Sequence, residues 1–305
     1  MMRKEGIRLR LYGALISLSL IWGMSFLFIK ILDSSIAPSD IAFLRCLFGV
    51  LPLYILLIWK TKKETWRLLP WKKIIIVGLT NAAIPWTLIA LSETVIKSGT
   101  ASILNATTPL WTSLVGFFLF SIRLSIRQWL GILIGFIGIL ILLNFDISGF
   151  LGENFIGMGT MIMATLCYGF SSQFIKRFLA GVSVLIIAAG TLTVGMILNG
   201  CFSILSNGFP IAAFQSWKSI VALIGLGVFG SGIAYLLSYY MIKEGSAEFS
   251  TFSTYLAPVT AMFWGWLLLD EPLSAKLIIG LFIILGGVYL SGKKAKRKTT
   301  NGLKM

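Results

Sequence analysis

The fourth apolar stretch of this chain carries Ser98, Ser102, Asn105, Pro109 and Thr112. Their spacings of 4, 3, 4 and 3 put them on one face of a helix. An equivalent face returns 149 residues later, where Thr251 and Thr254 stand in the places of Ser102 and Asn105, followed by Pro258. Each proline frees a backbone carbonyl one turn earlier, near Asn105 and Thr254. Two aromatic pairs also recur between the halves: Trp22 with Tyr168, 146 residues apart, and Trp86 with Tyr235, 149 apart. Amide and hydroxyl groups between aromatic walls can hold an amphipathic organic solute, but they supply no bond-breaking chemistry. Taken singly, such Ser, Thr and Asn residues also serve as interhelical hydrogen bonds of about 1 kcal/mol each. Their repetition at matched depth favours a cavity.

Catalytic alternatives lack their parts. The chain has no histidine, which removes the commonest general base and zinc ligand. Cys46, Cys167 and Cys201 are far apart in apolar runs, so no metal or disulfide pattern forms, and no cofactor is implied. No carboxylate falls near a midspan position, as a deep proton relay would want. Arg45 lies one turn into an apolar stretch. It is expected to reach the outer headgroups or to pair with Asp40 or Asp33, an anion-binding or gating role being the alternative. Glu93 and Lys97 are spaced to form an exposed pair.

The elements that position these residues are membrane spans. The chain is 57% hydrophobic and 12% charged, against about 25% charged in a soluble domain. Apolar runs fall at 11–32, 41–59, 74–92, 100–120, 129–145, 155–175, 182–205, 219–242, 249–269 and 275–291. Each is close to the roughly 20 residues that cross a bilayer as helix. The basic residues then orient them. Of 26 Lys and Arg residues, only Lys30, Lys97, Lys218 and Lys276 fall on one side, and Arg45 lies within a span. All the others fall on the opposite side, which places both termini in the cytoplasm. The net charge of +15 is therefore a topology signal. Spread over juxtamembrane loops and lacking any binding motif, it does not point to nucleic acid.

The two halves repeat each other. Gly78, Pro109, Gly116, Leu124, Ser125, Gly131 and Gly138 recur 149 residues later as Gly227, Pro258, Gly265, Leu273, Ser274, Gly280 and Gly287. Earlier in each half the offset is 146, which sets Trp22-Gly23 onto Tyr168-Gly169. Each half, 1–148 and 149–305, holds five spans, an odd number, so the second copy inserts upside down. The expected fold is all-α and integral to the membrane: ten transmembrane helices in two inverted five-helix repeats around a central cavity. That is the usual architecture of a secondary transporter. Gly131 and Gly135 form a GxxxG, with Gly138 one turn on, read here as packing within the half rather than dimerisation.

Several stretches together resemble the EamA-type branch of the drug/metabolite transporter superfamily, over about 11–292. They are Trp22-Gly23-Met24-Ser25-Phe26 with Lys30, Phe43-Leu44-Arg45, Thr108-Pro109-Leu110 and Leu256-Ala257-Pro258-Val259. The run from Leu267 to Ser274, leading to Gly280 and Gly286-Gly287, completes the pattern. The resemblance implies a central cavity built by the first, third, fourth, sixth, eighth and ninth helices, and movement of small organic solutes, commonly export. The sequence departs from the family where Ile122 and Arg123 stand in the places of Glu271 and Pro272, so a structural role is expected for Glu271. It also lacks the acidic residue that small multidrug exporters carry in the first helix.

The expected function is thus a cell-membrane exporter of a small amphipathic metabolite, acting as monomer or homodimer by alternating access. Trp22, Trp86, Tyr168 and Tyr235 would wall the site, and Ser102, Asn105, Thr251 and Thr254 would bond the solute. Pro109 and Pro258 would break the helices beside it. An antiporter of phosphorylated sugars or nucleotide sugars would want deeply placed cations, and a scaffold would not need the polar stripes.

Overall fold

The computed structural model describes residues 2–60, 69–96, 98–143, 145–152, 154–269 and 275–292, and within these the fold is helical without a strand. α1 spans Met2–Asp33 and α2 Pro38–Lys60. The third rod joins α3 (Trp71–Gly78) to α4 (Ile84–Glu93) through a π-helical segment, Leu79–Ala83. The fourth rod is α5 (Ser98–Asn105) and α6 (Thr108–Phe120), then α7 (Ile126–Leu142) and the short α8 (Ile147–Leu151). The second half runs through α9 (Phe155–Phe178), α10 (Val184–Asn207), and α11 (Trp217–Ile224) with α12 (Ala234–Glu244) across a second π segment, Gly225–Ile233. α13 (Ala247–Thr251), α14 (Ser253–Leu269) and α15 (Ala275–Gly292) close the chain.

Seven of these rods are long and apolar enough to cross a membrane, and Ile126–Leu142 and Ile278–Ser291 are shorter apolar helices. The outer surface is apolar: Leu205 is 86% exposed, Trp59 82% and Phe118 72%. Water would penalise such a face, and hydrocarbon does not. Starts are capped by side chains. Asn154 accepts the N–H of Ile156 and Gly157, and Ser125 with Gln128 forms a reciprocal capping box at α7.

The fourth rod breaks where the proline rule predicts. Pro109 withholds a donor from the Asn105 carbonyl, and the Thr108 hydroxyl donates to it instead at 2.6 Å. The ninth segment differs. α14 runs straight through Pro258, and the break falls earlier, at Phe252.

Glycines set how closely the rods approach. A Cβ on Gly287 would stand 2.5 Å from the Gly131 carbonyl oxygen, and one on Gly138 would meet Gly280 O at 3.0 Å. α7 and α15 therefore run antiparallel in close contact, and the glycines of the GxxxG pack across the halves. The sequence had suggested contact within one half. α2 and α10 are likewise antiparallel: Gly195 fits against Cys46, Gly200 against Phe43, and Ser203 bonds Asp40 at 2.6 Å.

Glu271 and Pro272, and the basic C-terminal tail from Lys293 onward, lie outside the described residues, as do the side chains of Lys30, Glu93, Lys97 and Lys276.

Candidate functional site

The π segments build the centre of the molecule. A π turn inserts a residue and shifts the carbonyl ladder, which frees acceptors for side chains. Gly230 lies in the second such segment. Its carbonyl accepts from Trp22 Nε1 at 3.3 Å and from an Arg45 Nη at 3.5 Å. Asn81, at the equivalent place in the first segment, offers its carbonyl to the Tyr235 hydroxyl at 2.8 Å. A Cβ on Gly230 would stand 2.6 Å from Ser25 Oγ, so this approach of α1 suits glycine.

Around these carbonyls the aromatic residues converge. Trp86 and Tyr235 are both buried and meet edge to face, 6.1 Å between centroids. Tyr235 meets Tyr239 at 5.3 Å. Asn81 Nδ2 donates to the Tyr239 hydroxyl at 2.9 Å, which donates onward to Thr191 Oγ1 at 3.0 Å. Tyr168 packs on the same apolar cluster as Trp86, Tyr235 and Tyr239. The hydroxyls of Tyr235 and Tyr239 are thereby spent on protein.

Arg45 turns into this group. Its guanidinium carbon lies 4.0 Å above the Trp86 ring and its Nε donates to Ser231 Oγ at 3.1 Å. The expected pairing with Asp40 does not form. Asp40 is buried and taken by Ser203, Asn207 and the Ala37 N–H. Arg45 lies four positions, about one helical turn, before the point where α2 meets the second π segment, at Gly49 against Gly227 and Ser231, and a long side chain covers that span.

Ser102, Asn105, Thr251 and Thr254 make their contacts elsewhere. Among the described residues no hydrogen bond joins them to the Arg45 group. Thr251 and Thr254 bond back to the carbonyls of Glu248 and Thr251, at 2.9 and 2.7 Å. Ser102 is half-buried. Asn105 is different: its Oδ1 is buried and has no partner. Either orientation of the amide leaves one buried polar atom unpaired, so this residue has hydrogen-bonding capacity left for another molecule. Trp22 connects the two groups, packing in one cluster with Ala106 and Tyr255, the neighbours of Asn105 and Thr254.

The EamA-like transporter family model matches this chain twice, at residues 10–144 and 155–292. The chain belongs to the EamA-like transporter family. It is similar to the uncharacterized inner membrane transporter YedA of Escherichia coli, 31% identical over 284 residues, covering 92% of this chain and 90% of that one. It is 24% identical to the uncharacterized transporter YoaV of Bacillus subtilis over 282 residues, 91% and 94% of the two chains. A crystal structure aligns with a TM-score of 0.72 at 18% identity, over 91% of this chain and 94% of that one, which establishes a shared fold. Membership makes this EamA-like protein a multi-pass membrane transporter, with a small-molecule substrate.

Of the four aromatics that the sequence singles out, Trp86, Tyr168 and Tyr235 share one cluster and Trp22 reaches the Gly230 carbonyl; sequence reasoning missed Asn81, Thr191, Gly230, Ser231 and Tyr239 as a connected set. Gly230, Ser231 and Gly232 in an apolar run were a legible sign of close backbone approach. The π geometry that makes their carbonyls available was not legible.

Proposed function

We propose that this EamA-like protein exports a small amphipathic solute by alternating access. In this reading it has ten spans in two inverted five-helix repeats, 1–148 and 149–305, around a central site. The contact between Trp86 and Tyr235 carries the reading. They are equivalent residues of the two copies, and equivalent residues that touch must straddle the axis relating those copies. A repeat interface is where transporters of this design place their substrate.

The close approaches support the same axis. A Cβ on Gly23 would meet Thr260 and Ala261, and one on Gly169 would meet Trp111 and Thr112, their counterparts. Gly78 meets Val194 as Gly227 meets Phe48. The antiparallel course of α7 with α15 and of α2 with α10 supports inversion, because each pair joins equivalent helices. The pairs in α2 and α10 keep the offset of 146, while Gly78 and Gly227 are 149 apart, so the change of offset falls between the second and third rods.

In this mechanism the walls are Trp22, Trp86, Tyr168 and Tyr235. Asn105, with Ser102, Thr251 and Thr254 near it, bonds the solute, and rocking of the two copies exposes the site to each side in turn. Phosphorylated sugars fit less well, because a phosphate dianion calls for clustered cations. Beside Trp86 and Tyr235 only Arg45 is cationic among the described residues.

The test is mass spectrometry of medium and cytosol from cells that lack, or overproduce, the chain. A metabolite that moves reciprocally between the two pools is expected, and Trp86→Ala is expected to abolish the shift. An unchanged shift in a Trp86→Ala variant present at normal level in the membrane would remove the site assignment. No shift in any pool would argue against metabolite export.

A further inference from the structure

We infer that Arg45 receives the carboxylate of a monoanionic solute whose apolar body lies against Trp86 and Tyr235. This deepens the transport reading above and rests on it.

The first argument is the number of donors. A guanidinium has five N–H groups in a planar fork. Arg45 spends Nε on Ser231 Oγ at 3.1 Å and one Nη on the Gly230 carbonyl at a long 3.5 Å. Its other Nη donates to no protein group among the described residues, and no carboxylate there is within ion-pair reach. A cation inside a membrane protein is costly unless it is paired or hydrogen-bonded. The acid nearest in sequence, Asp40, is committed to Ser203, Asn207 and the Ala37 N–H. The stack on Trp86 at 4.0 Å offsets part of that cost and holds the fork in place. It does not satisfy in-plane donors.

The second argument is asymmetry. The aromatic walls occur in both copies, as Trp22 with Tyr168 and Trp86 with Tyr235. The charge occurs in one. The counterpart of Arg45 at the offset of 146 is Thr191, whose hydroxyl is taken by Tyr239. The site therefore carries one cation, where α2 meets the second π segment, and a neutral, committed hydroxyl at the equivalent position of the other copy. A solute with one anionic group and an apolar body matches that polarity. A carboxylate fits the fork in two parallel hydrogen bonds, which a lysine would not offer.

The test uses the full-length protein in lipid nanodiscs, with empty nanodiscs as reference. Tritiated 3-phenylpropionate is the probe. 3-Phenylpropanamide and 3-phenylpropylamine compete as neutral and cationic partners of the same body. The acid is expected to bind above the empty discs, and the amide and amine to compete about tenfold or more weakly, the range of a charge-assisted hydrogen bond. Arg45→Gln should lose that preference, and Arg45→Lys should keep the preference with reduced affinity. A melting curve confirms that each variant is folded. Equal competition by all three compounds, absence of acid binding, or an intact acid preference in folded Arg45→Gln would each overturn the inference. Those outcomes leave the transport reading standing if the metabolite experiment finds a neutral or cationic solute. A failure of that experiment alongside acid binding would instead separate binding from transport.

Discussion

At the scale of single residues, burial and hydrogen-bond commitment decide what each polar group does. Glu248 is buried, and its Oε1 accepts from Gln173 Nε2 at 2.6 Å. The same Nε2 donates to the Thr112 carbonyl at 2.9 Å. One amide thus ties α9 to α6 and α13, in a space left by Gly116, where a Cβ would stand 2.4 Å from that nitrogen. Removing Gln173 strips a buried carboxylate of its donor, whereas Glu248→Gln keeps an acceptor in place. Gln173→Leu should therefore destabilise by about 2–4 kcal/mol and Glu248→Gln by about 1 kcal/mol or less. The Gln173→Leu/Glu248→Leu double variant should recover part of the loss, since both polar partners are then gone. Thermal unfolding in detergent measures all three, and equal losses in the first two would refute the assignment. This clasp was hard to read from the chain. Glu248 stands in the first turn of a helix, where an acid is common, and nothing local shows that Gln173, 75 residues earlier, reaches it. The aromatic pairs were readable because repetition marks them without knowledge of their contacts.

At the scale of elements, small residues set helix spacing and π segments set which carbonyls are free. α7 and α15 touch through Gly131, Gly135, Gly138, Gly280 and Gly287, and the groups a new Cβ would meet are mostly backbone. Backbone cannot rotate aside, so the helices must separate. Gly287→Ala, placed 2.5 Å from the Gly131 carbonyl oxygen, should cost about 1–3 kcal/mol. Gly159→Ala, with nothing within 4 Å, should be neutral or stabilising by about 0.5–1 kcal/mol. Melting temperatures of the two variants make the comparison, and a Gly287→Ala protein as stable as the parent would contradict the packing. The glycines were legible as contact points, but their partner was not. GxxxG states that a helix is approached closely and carries no address. The breaks show the same limit. Pro109 ends α5 where the missing donor requires it, whereas the equivalent Pro258 sits inside α14, because a lost hydrogen bond can be absorbed without ending a helix. The π segments arise from packing of the third and eighth rods against their neighbours, so no local pattern announces them.

At the scale of the whole molecule, the hydrogen bonds sort helix ends into two groups, and those groups agree with the charge asymmetry of the sequence. Lys176 Nζ donates to the carbonyls of Lys243 and Gly245 at the end of α12. Arg177 donates to the Phe120 carbonyl at the end of α6, and Lys243 donates to the Val182 carbonyl. Cations at helix C-termini satisfy orphan carbonyls and the negative end of the dipole. The same residues would be retained in the cytoplasm by the positive-inside rule. At the other group of ends, Asp40 of α2 bonds Ser203 and Asn207 of α10, so an acid takes the place of the bases. One distribution of charge thus closes helix ends and, by the positive-inside rule, would also orient the chain, so composition speaks to topology while it says little of the interior. Orientation can be tested with the three native cysteines replaced by alanine. Ser35 and Ala180 are exposed, in the turns after α1 and α9. A membrane-impermeant maleimide should label Ser35→Cys in intact cells, and should label Ala180→Cys only after permeabilisation. The opposite pattern would reverse the molecule in the membrane. It would then carry the α1–α2 turn, with Arg45 seven residues beyond Pro38 at the start of α2, from the outer face to the cytoplasmic one. The anion end of the site would face the compartment from which an exporter loads, and alternating access would have to carry the solute past that cation on entry instead of on release.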